Sequence, residues 1–188
     1  MSESTLNNAI TIMFLLFFTT ILVGWVGTAQ NPAIGTEFMK LFEKDVGGQV
    51  MDGSDLAVGS KIFLNNLEAC ILLFLGGASF GILTLFIMSL NGIVIGAILE
   101  LVHEHHSAVF VAAAILPHGV FEIPGFIIAG ALGIMLSQSL VNEYYGAGDA
   151  AAEARVLARN FALLVIPLIL IAAMVEAFIT PQVIQLVI

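Results

Sequence analysis

Apolar residues crowd together along this chain, and charges are confined to the gaps between them. No Asp, Glu, Lys or Arg occurs from Ser4 to Thr36, none between Glu68 and Glu100, and none from Gly125 through Leu140. A helix needs about 20 apolar residues to cross a hydrocarbon core. The pattern therefore predicts spans at roughly 8–28, 60–76, 79–100, 117–140 and 160–179. The first run is read as mature structure and not as a signal peptide, because Glu3 but no Lys or Arg precedes it and its apolar part exceeds the usual h-region of roughly 7–15 residues.

Between these runs the punctuation is specific. Asn31-Pro32 ends the first span, since proline cannot continue a helix and disfavours helical geometry in the residue before it. Phe38, Met39, Leu41, Phe42 and Val46 then recur at near-helical spacing against Glu37, Lys40, Glu43, Lys44 and Asp45, which predicts an amphipathic surface segment over 34–46. Val46 to Asp55 reads as turn material, Gly76-Gly77-Ala78-Ser79 as the break between the second and third spans, and His103-Glu104-His105-His106 as a solvated loop. The apolar piece at 107–116 is too short to cross and is interrupted by Leu116-Pro117, so a partial or re-entrant helix is expected there, with a full span starting at Pro117. Asn142 to Arg159 reads as a hydrophilic loop and Thr180-Pro181 as the close of the last span. The fold class is thus all-α: one polytopic membrane bundle of about five transmembrane helices plus one partial helix.

Composition agrees with the pattern and narrows the function. With 60% hydrophobic and only 10% charged residues in 188, and a mean hydropathy of +1.07, the apolar surface exceeds what a water-soluble core of this size can hide. The lipid bilayer is the expected partner and a multi-pass place in the cell membrane the expected location. Five Lys+Arg against fourteen Asp+Glu give a net charge of -9, which repels phosphate and excludes nucleic acid. Cys70 is the single cysteine, so neither an internal disulfide nor a cysteine cage is available. Lys40, Lys44 and Lys61 fall on one side of a five-span arrangement and Arg155 and Arg159 on the other, which leaves orientation open.

The residues that violate the apolar pattern are the candidates for function: Asn65, Asn66, Glu68, Asn91, His118, Glu122 and Glu176. A charge at mid-membrane costs about 2.5–3.5 kcal/mol even on lenient scales, so these groups are expected to form a buried polar cluster. His118 and Glu122 are one helical turn apart and share a face. Pro124 frees the carbonyl of Val120, for which Asn65 or Asn66 is the expected donor. Lys61, Asn65 and Glu68 form a stripe that reads either as a seam between helices or as a binding cleft. Glu176 reads equally as a paired group and as one reaching the interface. His118, Glu122 and Glu176 amount to one imidazole and two hard carboxylates, and neither metal nor cofactor is expected from them. Pro117, Gly119 and Pro124 are read as helix-break and packing positions. Gly77 with Gly81, and Gly92 with Gly96, have the small-xxx-small spacing that lets helices approach closely, within one bundle or at a homodimer seam. No zinc-protease helix, nucleophile elbow or phosphate loop is present.

Several blocks together resemble the stage II sporulation protein M family: Phe63-Leu64-Asn65-Asn66, Asn91-Gly92 with Gly96, Leu116-Pro117-His118-Gly119 with Glu122-Ile123-Pro124, Ala131-Leu132-Gly133, and Glu176-Ala177-Phe178 with Thr180-Pro181. The resemblance covers Lys61 to Pro181. It implies a multi-span, non-enzymatic membrane protein; sporulating members work in engulfment and help hold peptidoglycan-degrading partners at the membrane, whereas many relatives belong to organisms that do not sporulate. Gly125 departs from an Ala that many relatives carry, and Glu68 stands outside the family's motif. The expectation is a membrane scaffold or assembly protein, self-associating or bound to a membrane or envelope protein through its exposed segments 33–60 and 142–159. The alternative is a permease or channel in which Glu68, Glu122 and Glu176 handle a proton or cation.

Overall fold

The structure is a computed structural model that describes residues 3–42 and 55–187. Its elements are α1 (Glu3–Gln30), α2 (Pro32–Phe42), α3 (Asp55–Leu75) with a 3-10 turn at Gly76–Ser79, α4 (Ile82–His105), α5 (Ala108–Tyr144), α6 (Ala150–Asn160), a π-helical stretch at Phe161–Val165, α7 (Ile166–Phe178) and α8 (Thr180–Gln185). Five segments are long and apolar enough to cross a membrane: Thr5–Gln30, Asp55–Ser79, Ile82–His105, Ala108–Tyr144 and Ala150–Gln185. No strand occurs among the described residues, so the all-α helical bundle stands. Residues 43–46 of the expected amphipathic segment, and the turn material up to 54, lie outside the described residues.

Three elements differ from the sequence expectation. Residues 107–116 are no partial helix: Ser107 caps the start of α5 by accepting from the Phe110 amide at 3.2 Å, and the helix runs 37 residues without a break at Pro117. Proline removes one N–H and crowds one carbonyl, but inside a bundle the neighbouring helices hold the axis, so Pro117 and Pro124 both sit within α5. The 142–159 stretch is mostly helical as well. Asp149 caps α6 by accepting from the Ala152 amide at 2.9 Å, and the run Ala150-Ala151-Ala152 propagates it. The π-helical turn at 161–165 then joins α6 to α7 just before Pro167, where one residue's extra winding meets the missing N–H. Finally, the tetrad at 103–106 is not a loop, because α4 continues through His105.

α5 is the central helix. Some 61% of its apolar window is buried, against 28% for each of the other four. Around it the core packs Met13 and Phe17 of α1, Cys70 and Leu73 of α3, Met88 of α4, Leu132 of α5 and Ile169 of α7, while Leu15, Leu22, Leu72, Phe86 and Leu163 face outward as lipid contacts.

Helices α1 and α4 run parallel and touch backbone to backbone. A Cβ added at Gly92 would collide with Thr20, at Gly96 with the Ile21 carbonyl, and at Gly24 with the Ile93 carbonyl. The Gly92/Gly96 stripe is therefore used inside the chain and is not free to serve as a homodimer seam. Gly77 is used in the same way against the Gly133 carbonyl of α5, and Gly81 takes a left-handed φ of 84° at the turn into α4. Close approach supplies the van der Waals contact that replaces the missing hydrophobic force between helices in lipid.

Candidate functional site

Because α5 passes unbroken through Pro117, His118 and Glu122 lie one turn apart on one face, as their spacing requires. They face α7, whose last turn brings in Glu176. One ligand atom from each of His118, Glu122 and Glu176 lies within 4.8 Å of the other two. His118 is the eleventh residue of α5 and Asn65 the eleventh of α3, a depth of about 15 Å from where each helix starts. The group thus sits inside the bundle, nearer the end at which α4 finishes and α3 and α5 begin.

These side chains border a cleft of about 290 Å³. Asn65 and Asn66 of α3, Glu122 of α5, Glu176 of α7 and the apolar Ile95, Ile98 and Leu99 of α4 all line it. Gly119 opens onto the same space. None of the described residues lining the cleft is Lys or Arg. Neither Glu122 nor Glu176 has a hydrogen-bond or ion-pair partner among the described residues. Two carboxylates are held together in an apolar surround, and each leaves acceptor capacity unused.

His118 is better tied. Its Nδ1 lies 3.4 Å from Thr180 Oγ1, and the Thr180 hydroxyl donates to the Val175 carbonyl at 3.3 Å. The Thr180 hydroxyl thus lies between the Val175 carbonyl and the His118 ring. Whether Nδ1 donates or accepts there follows the ring's tautomer, and in either case the contact fixes the orientation of the imidazole. Thr180 reaches the ring because α7 ends at Phe178 and α8 starts afresh after Ile179.

Of the expected cluster, the structure brings together Asn65, Asn66, His118, Glu122 and Glu176, and leaves out two members. Glu68 is exposed and points away from the cleft. It lies three residues after Asn65, which is exposed at the open edge of the cleft. Asn91 is half-buried on α4, where its side-chain amide donates to its own helix at the Ile87 carbonyl, 2.8 Å away. The expected bond from Asn65 or Asn66 to the Val120 carbonyl is replaced by one from Asn65 Nδ2 to Asn66 Oδ1 at 3.4 Å. Pro124 is exposed.

Sequence reasoning missed Thr180, which looked like a helix terminator. It also missed a second polar group at the α1–α4 end, where Glu100 is 9% exposed with His103 Nδ1 3.8 Å from its carboxylate and the Trp25 ring 5.5 Å from the His103 ring. The i,i+3 spacing of Glu100 and His103 was the available signal.

Comparison with known proteins gives these residues a context. Two uncharacterized proteins of Methanocaldococcus jannaschii are similar to the chain. One is 25% identical over 135 residues, 71% of this chain and 59% of its own length, and the other 28% identical over 127 residues, 65% of this chain and 71% of its own. The chain thus spans less than two thirds of the first relative. No solved structure matches the chain. Residues 13–181 match the stage II sporulation protein M family, a stretch that reaches into all five apolar helices and takes in every residue of the cleft, and the chain therefore belongs to that family.

Proposed function

We propose that the protein is a non-enzymatic membrane scaffold, a bundle closed by glycine contacts that holds another membrane or envelope protein against the outer side of α3. The observation that carries this reading is Glu68. It is exposed near the middle of the Asp55–Ser79 span, flanked on the surface by Leu64 and Leu72. A carboxylate facing hydrocarbon at that depth is costly, by about 2.5–3.5 kcal/mol on lenient scales. A donor from a partner helix removes that cost. The glycine-locked α1–α4 seam suits a platform that keeps its shape while another protein docks.

Purification from native membranes in mild detergent tests this. A second protein at near-equal amount is expected with the wild type, and Glu68→Leu should lose most of it at unchanged folded yield. Recovery of the wild type alone, or equal recovery of the partner with Glu68→Leu, would sink the scaffold reading.

A second reading, proton or cation permeation, is favoured by one observation: Glu122 and Glu176 border a cleft and are not packed against donors. Its test is flux in reconstituted vesicles. Transport lost in a folded Glu122→Gln variant supports it, and no flux of protons or common cations from the wild type rules it out.

A further inference from the structure

We propose that His118, Glu122 and Glu176 form a binding site for one divalent first-row transition-metal ion of the zinc or manganese class. The three donors come from two helices, and their ligand atoms already lie within 4.8 Å of one another. Bonds of about 2.1 Å in tetrahedral array put ligand atoms about 3.4 Å apart, so turning the carboxyl ends inward closes the set. The charge calls for such an ion. Two carboxylates share a mostly apolar cleft among whose described lining residues there is no Lys or Arg, and no protein donor among the described residues is hydrogen-bonded to either one. A dication neutralises both.

The histidine is prepared for the same task. Metal-binding imidazoles donate their other ring N–H to an oxygen that fixes tautomer and orientation. Here Nδ1 lies 3.4 Å from Thr180 Oγ1, itself 3.3 Å from the Val175 carbonyl, a contact that holds the ring in place beside the two carboxylates. One imidazole with two carboxylates suits zinc, manganese or ferrous iron better than calcium or magnesium, whose sites are built of oxygen. The 290 Å³ cleft, which Asn65 and Asn66 also line, leaves room for water beside the ion. His103, His105 and His106 are richer in imidazole but stay exposed and do not converge with a carboxylate set of this kind. The site does not depend on the scaffold reading, because Glu68 contributes nothing to it.

Full-length protein, stripped with EDTA in detergent, would be dialysed against micromolar Zn²⁺ or Mn²⁺ and its metal content measured. Near one ion per chain is expected, with a rise of several degrees in melting temperature. Glu122→Gln and Glu176→Gln should each lower affinity at least tenfold, while His103→Ala with His105→Ala and His106→Ala leaves it unchanged. Should the carboxylate variants fail to fold, Co²⁺ added to the wild type supplies the readout: visible absorption of a low-coordinate N/O site is expected, and its absence overturns the proposal. No bound metal, or binding that survives both Gln variants, overturns it as well.

Discussion

Along the α1–α4 seam, Gly24, Gly92 and Gly96 set backbone directly against backbone, whereas between α3, α5 and α7 the side chains of Asn65, His118, Glu122 and Glu176 hold the helices around a cleft. The seam is buried and the cleft is half-buried, with Asn65 exposed at its edge, and both join helices for which hydrophobicity offers no reason to associate in lipid. The seam solves this by removing side chains, so that dispersion contacts accumulate over a long stretch. The cleft gives up that contact and keeps polar groups that the protein itself does not fully satisfy. Stability is concentrated in the first region and chemistry in the second.

The largest expected effect comes from filling the seam. Gly96→Leu drives a side chain into the Ile21 carbonyl and the Trp25 amide. Overpacking costs about 1–3 kcal/mol where side chains can move and more where backbone is the obstacle. Loss of monodisperse folded protein in size-exclusion chromatography is expected. A variant that elutes and melts like wild type would show that the seam is not what holds the bundle.

Next comes Thr84→Val, in the dry part of the structure beside the α3–α4 turn. The buried Thr84 hydroxyl donates to the Leu73 carbonyl at 2.8 Å. Its loss leaves an acceptor short of a partner inside an apolar core, at a cost of about 1–3 kcal/mol. A lower melting temperature in detergent is the readout.

In the cleft the sign reverses. Glu122→Gln, compared with wild type in EDTA, removes one of two facing carboxylates that have no protein donor among the described residues. It is expected to raise stability by about 1 kcal/mol, since an unpaired buried charge destabilises the native state. A fall in melting temperature under the same conditions would mean that Glu122 is satisfied by the fold, and the contrast with the seam would disappear.

The smallest effect sharpens the same contrast at the seam's end. Thr28 is buried against α2 and α4, and its hydroxyl lacks a hydrogen-bond partner among the described residues. Thr28→Val keeps the shape and removes the unpaired group, so a gain of about 0.5–1 kcal/mol is expected. A loss would reveal a water or backbone partner at that position.

Much of the fold was legible along the chain. Uncharged runs marked the five spanning helices, Asn31-Pro32 marked the break after α1, and the four-residue spacing of His118 and Glu122 placed them on one face. The differences have two causes, one tertiary and one local. Pro117 predicts an interruption because a proline is costly in an isolated helix, whereas α5 is supported on several sides by α1, α3, α4 and α7 and passes through it. The polar stretch after Asn142 was read as loop because its charges outweighed its alanines, yet Asp149 capping and helix propensity carry α6 there.

What the sequence determined by itself is residence in the membrane, the number of spanning helices and the polar residues that had to be explained. Those follow from hydropathy and spacing, which are properties of neighbouring positions. Tertiary structure alone decided that Glu176 of α7 meets His118 and Glu122, that Glu68 turns outward, and that Gly92 and Gly96 are used by α1 and not by a second copy. Lipid and protein interior are equally apolar, so hydropathy cannot tell which face of a membrane helix looks inward. Only the fit of one helix against another settles that.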